Sequence, residues 1–147
     1  MKALPTVCNI LVVGAGPAGL AAATELKLRG VSDVVVVERE GQAGGIPGHC
    51  GHSLFGMREF KRVLSGPAYA AALTRRALES GVDIYLNTTV VRLLPEARLV
   101  LSSPFGISEL SANKLSSRPV RAKHRKRRDW CRGSDRSALS QPARCSR

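Results

Sequence analysis

Gly14, Gly16 and Gly19 stand at G-x-G-x-x-G spacing, and an acid, Glu38, follows nineteen residues after the last of them. Glycines so spaced can bring backbone N–H groups against phosphate oxygens, and a carboxylate beyond them can accept hydrogen bonds from ribose hydroxyls. Together they point to an adenine dinucleotide as the ligand class. The glycine pattern alone carries little weight. Its place between a strand and a helix, with an acid closing the next strand, is what makes it specific.

Regular elements must hold these residues in place. Val7 to Val13 is short, β-branched and apolar, which predicts a buried parallel strand. Gly14 allows a tight turn, Gly16 lets a pyrophosphate approach because it has no Cβ, and Gly19 lets the next helix lie close to the strand. Pro17 suits a first helical turn. Ala18, with Ala21 and Ala22, keeps the inner face of that helix thin. The helix is expected from about Pro17 to Arg29, stopped by Gly30. Val34 to Val37 predicts a second strand, and a carboxylate at its end would repel a 2′-phosphate, which disfavours NADP. Lys2 and the apolar residues up to Ala23 imitate a secretory signal, but the Gly/Pro cluster interrupts the run and the second strand stays unexplained. No stretch reaches the ~20 apolar residues of a membrane span. A cytoplasmic protein with no membrane partner is expected.

Length allows one domain and a tail. Residues 1–112 carry 11 Lys/Arg against 9 Asp/Glu, whereas residues 113–147 carry 12 against 2, so most of the net charge of +12 sits in the last segment. The nearly neutral first part offers no nucleic-acid groove. Cysteines fall at 8, 50, 131 and 145. Cys8, inside the expected first strand, reads as an inert buried thiol, and a reducing compartment is the simpler setting.

After Glu38 the chain continues through Arg39, Glu40, Gly44 and Gly45 to His49, Cys50, Gly51 and His52. With this stretch the sequence resembles the flavoproteins with two dinucleotide-binding domains, of the glutathione-reductase fold type. The resemblance covers about residues 6–112. It implies an α/β, Rossmann-like FAD/NAD(P)-binding domain with a parallel sheet and a small antiparallel β-meander, incomplete at its C-terminus. It also implies FAD as the cofactor. In that family the glycine loop (Gly14, Gly16, Pro17, Ala18 and Gly19) takes FAD. Glu38 and Arg39 then stand at the adenosine ribose, Gly44 and Gly45 form the following Gly-Gly pair, and Val90 meets the adenine with its backbone. The stretch from Gly44 to Phe60 is similar, more narrowly, to the FAD subunits of amine- or opine-oxidising dehydrogenases, where a basic residue replaces Gly48.

His49, Cys50 and His52 invite a metal reading, but three ligands within four residues cannot easily wrap a tetrahedral ion, so no metal is expected. Cys50 has no second cysteine a few residues away, which excludes a redox disulfide there. By the resemblance this loop lies near the flavin, with His49 or His52 as a donor. Residues 66–81 predict a second helix with Ala70, Leu73, Ala77 and Leu78 on one face. Val82, Ile84 and Leu86 predict a third strand. Residues 90–94, 98–102 and 107–111 predict a β-meander.

The pattern breaks after Ala112. The family continues with an apolar strand ending in an Ala-Thr-Gly-like turn; this chain gives Asn113-Lys114-Leu115-Ser116-Ser117-Arg118 and then Lys123-His124-Arg125-Lys126-Arg127-Arg128. The last Rossmann strand is therefore expected to be missing, and residues 113–147 are expected to be a disordered basic tail. Such a tail could bind nucleic acid. The preferred alternative is a shifted reading frame, since codons for Arg118 to Arg125 can encode Thr-Gly-Ala-Arg-Glu-Thr-Pro in the neighbouring frame. The first expectation for the chain is thus the FAD-binding N-terminal portion of a flavin-dependent oxidoreductase, truncated and weakly active or inactive. No catalytic residue can be named, the small-molecule substrate is open, and NAD(P)H is a partner only in a full-length relative. The competing expectation is an NAD-binding module with a nucleic-acid-binding tail.

Overall fold

The structure is a computed structural model that describes residues 4–117. Strand β1 (Val7–Val13) leads through the glycine loop into helix α1 (Pro17–Leu28), and β2 (Val34–Val37) follows. A 3-10 turn (Ile46–His49), β3 (Ser53–Phe55), the short helix α2 (Met57–Phe60) and β4 (Leu64–Ser65) form an excursion before helix α3 (Gly66–Glu79). The chain then runs through β5 (Asp83–Tyr85), β6 (Thr89–Leu94), β7 (Arg98–Ser103) and β8 (Gly106–Ser117). The six-stranded sheet has the order β5-β2-β1-β8-β7-β6, and β3 and β4 form a separate pair. Among the six, β5, β2, β1 and β8 are joined by parallel pairing, and β8, β7 and β6 by antiparallel pairing.

The two faces of the sheet explain why β2 is a run of four valines. Val34 and Val36 pack with Val12, Leu20, Ala23, Tyr69, Leu73 and Ala77 under the helices. Val35 and Val37 pack with Leu11, Tyr85, Leu99, Leu101 and Leu110 under the meander. A strand buried on both faces needs apolar side chains at every position rather than at alternate ones. Helix α1 ends as expected, with Arg29 as its cap and Gly30 at φ +85°.

The expected boundary at residue 112 does not hold. Strand β8 continues through Ser117, and its second half pairs in parallel with β1, Ala112 against Cys8 and Leu115 against Leu11. The fourth parallel strand is therefore present. Neighbouring contacts override the weak apolar pattern: Leu115 packs on the meander-side core, and the Asn113 side-chain amide donates to Asn9 Oδ1 at 2.9 Å. The tail expected beyond it lies outside the described residues from 118 onwards.

Candidate cofactor site

The glycine loop fills the gap between the C-terminal end of β1 and the start of α1. Gly14 turns at φ +100°, and its N–H donates to the Val37 carbonyl at 2.8 Å, tying the loop to the end of β2. A Cβ at Gly19 would lie 2.0 Å from the Gly14 carbonyl oxygen, so only glycine lets α1 approach this closely. A Cβ at Gly16 would meet nothing within 4 Å. Gly16 therefore faces open space, as a position left bare for a ligand should. It is also the N-cap of α1 and brings no side chain to the helix start, which leaves first-turn N–H groups for an anion.

These residues line one groove of about 630 Å³. Gly14, Gly16, Pro17, Ala18 and Gly19 form its loop side, and Glu38, Arg39 and Val90 meet them there. Thr88, Thr89 and Ser116, which the sequence did not single out, line it too. Thr88 is 3% exposed, and its N–H donates to the Glu38 carbonyl at 2.8 Å. Ser116 arrives only because β8 pairs with β1 beside Val12. Arg39 stays at the rim, with an exposed ion pair to Glu40 at 3.3 Å.

The structure sets Glu38 between the loop and the acid turn. One carboxylate oxygen accepts from the Ala15 N–H at 2.7 Å and the other from the Glu40 N–H at 3.1 Å. Its backbone is pinned on the far side, where its N–H donates to the Tyr85 carbonyl at 2.9 Å.

Gly44 and Gly45 do not line this groove; they brace it from behind. Gly44 adopts φ +116°, its N–H donates to the Ala15 carbonyl at 2.8 Å, and a Cβ there would lie 2.4 Å from that of Ala70. A Cβ on Gly45 would come within 3.0 Å of the Gly16 Cα. The pair thus wedges the loop between α3 and the glycine turn. Gly66 serves the same packing, since its Cβ would meet the Pro47 carbonyl oxygen at 2.2 Å. Nothing in its sequence context marks that contact.

His49, Cys50 and His52 lie in the excursion, outside the groove lining. The His52 ring meets Phe55 at 5.3 Å, Phe55 stacks on Tyr69 at 5.6 Å, and Phe60 meets the same tyrosine edge-on at 6.0 Å. Burial pushes the Tyr69 hydroxyl up, and the neighbouring Glu59 carboxylate adds to the shift through its charge and a hydrogen bond. Cys8 is 3% exposed. Burial, then the Asp33 carboxylate, holds its thiol above the ordinary range. Among the described residues, no three His, Cys, Asp or Glu side chains converge as a metal site. No helix among them is long and apolar enough to cross a membrane.

A βαβ unit with a glycine turn, an acid at the end of its second strand and a groove between them defines a Rossmann-like dinucleotide-binding fold. A family model described as an NAD(P)-binding Rossmann-like domain matches residues 12–47. No curated protein matches the chain at a significant level. Solved structures do. L-proline dehydrogenase from P. horikoshii is 23% identical with a TM-score of 0.63, covering 76% of this chain and 22% of that one. A thioredoxin reductase from Gloeobacter violaceus is 21% identical with a TM-score of 0.60, covering 78% and 37%. A geranylgeranyl bacteriochlorophyll reductase-like protein from Thermoplasma acidophilum is 16% identical with a TM-score of 0.62, covering 76% and 38%. The chain therefore spans between 22% and 38% of the length of these proteins, and what it shares with them is the fold.

Proposed function

We propose that this groove holds the ADP half of FAD, and that the chain is the FAD-binding portion of a flavin-dependent oxidoreductase. The observation that carries the reading is the meeting of Gly14, Gly16, Pro17, Ala18 and Gly19 with Glu38, Arg39 and Val90 around one groove. The residues fit the group. The open side of Gly16 and the α1 N-terminus suit the pyrophosphate, and Glu38 suits the ribose hydroxyls. Val90, at the start of β6, offers its backbone to the adenine. FAD, when bound, supplies hydride acceptance, and the protein supplies binding and orientation. The dehydrogenase and reductases of the same fold support an oxidoreductase.

NAD is the second reading, favoured by the description of the family model over residues 12–47. Equilibrium dialysis of the purified chain against FAD, NAD and ADP separates the two. FAD and ADP are expected to bind, NAD more weakly, and Gly16→Ala is expected to weaken all three while the chain stays folded. Tighter binding of NAD than of FAD would select the second reading. Failure of ADP to bind would remove both.

A further inference from the structure

We infer that Glu38 is the latch of the glycine loop: its carboxylate holds the loop in its ligand-ready shape, so it is a positioning residue as well as a ribose acceptor. The inference rests on the reading of the groove as an adenine dinucleotide site. Ala15, between the two glycines of the turn, is fully buried and held from both sides. Its N–H donates to Glu38 Oε2 at 2.7 Å, and its carbonyl accepts from the Gly44 N–H at 2.8 Å. The acid is itself projected from a fixed segment, because Glu38 N–H reaches the Tyr85 carbonyl and Thr88 N–H reaches the Glu38 carbonyl. The second carboxylate oxygen accepts from Glu40 N–H at 3.1 Å, which closes the acid turn.

A charge-assisted hydrogen bond to a buried backbone N–H is stronger than a neutral one. An ionised carboxylate also accepts at about four lone-pair positions, so two latch bonds leave room for ribose hydroxyls on the groove side. The latch therefore explains why an acid, and not merely a hydroxyl acceptor, suits this position. Glutamine has the same size, but with its NH₂ toward Ala15 it loses that bond, and with its oxygen toward Ala15 the bond loses its charge while the NH₂ confronts Glu40 N–H. Glu38→Gln therefore weakens the grip on Ala15 in either orientation without removing bulk.

Two measurements on the full chain test this. The first is amide hydrogen exchange of the ligand-free protein, read at Ala15. In E38Q this amide is expected to exchange at least about tenfold faster than in the wild type. The second compares ADP with 2′,3′-dideoxy-ADP, which lacks both ribose hydroxyls. If Glu38 latches the loop, E38Q weakens the dideoxy ligand too, by roughly tenfold, and ADP by at least as much. Unchanged exchange at Ala15, or a loss for ADP that vanishes with the dideoxy ligand, overturns the latch. If the wild type binds neither ligand, the reading of the groove fails, and the exchange measurement alone decides the latch. Should E38Q not fold, Glu38→Asp, which withdraws the charge by one methylene, is read at Ala15 with the same expectation.

Discussion

At the scale of single residues, the three glycines of the turn do different work, and substitution should separate them. Gly19→Ala drives a Cβ into the Gly14 carbonyl, so a loss of about 2 kcal/mol or more is expected in denaturant unfolding. Gly16→Ala points into open space from an extended backbone that any residue adopts, so stability should change by less than about 1 kcal/mol while nucleotide affinity falls. Cys8 gives a pH prediction. Its folded-state pKa is raised, so its contribution is complete below the ordinary thiol value. As pH climbs past that value the unfolded chain ionises first, and stability declines. Cys8→Ala should flatten this decline between about pH 8 and 10 in urea titrations. Equal slopes in the two proteins would argue against it. The roles of Gly14 and Gly19 were legible in sequence because their spacing fixes which one turns and which one packs.

At the scale of elements, the helix α3 and the Gly44-Gly45 segment form one contact. Gly44→Ala combines a positive φ with a collision at Ala70, and a loss of about 2–4 kcal/mol is expected by thermal unfolding. Adding Ala70→Gly removes the Cβ collision but leaves the Ala70 Cα at 3.1 Å and the backbone strain, so only part of the loss should return. Full recovery would mean that strain contributes nothing. By the resemblance this Gly-Gly pair stands beside a cofactor, and the structure shows it packed against α3 and Gly16. A glycine requirement says that something comes close, and only packing says what. The strands and helices themselves were readable because the unbroken valines of β2 mark a strand buried on both faces and Ala70, Leu73 and Ala77 of α3 follow the helical period, although Leu78, expected on that face, is exposed.

At the scale of the whole molecule, β8 decides how the sheet closes. Its first half completes the meander and its second half is the fourth parallel strand, from Ser111 to Ser117 beside β1. Leu115 joins the meander-side core, and Asn113 and Asn9 link β8 to β1, with the Asn9 amide reaching Ser32 at 2.8 Å. A chain ended at Ala112 should therefore unfold at lower denaturant than one ended at Ser117. It should also aggregate more, because it bares the edge of β1. Equal midpoints would show that residues 113–117 add nothing to the sheet.

By itself the sequence determined the βαβ unit with its glycine turn, because glycine spacing, strand valines and a terminal acid are local features whose chemistry does not depend on distant partners. Only the tertiary structure decided where the sheet ends, what the Gly-Gly pair touches, and that Glu38 grips the loop it faces. Residues 113–117 of β8 read as a polar tail in isolation and become strand because β1 offers an unpaired backbone edge whose N–H and C=O groups need partners. The Ala15–Glu38 bond joins residues 23 apart in the chain. Its existence depends on the parallel register that sets the end of β2 beside the end of β1, and no local pattern encodes that register.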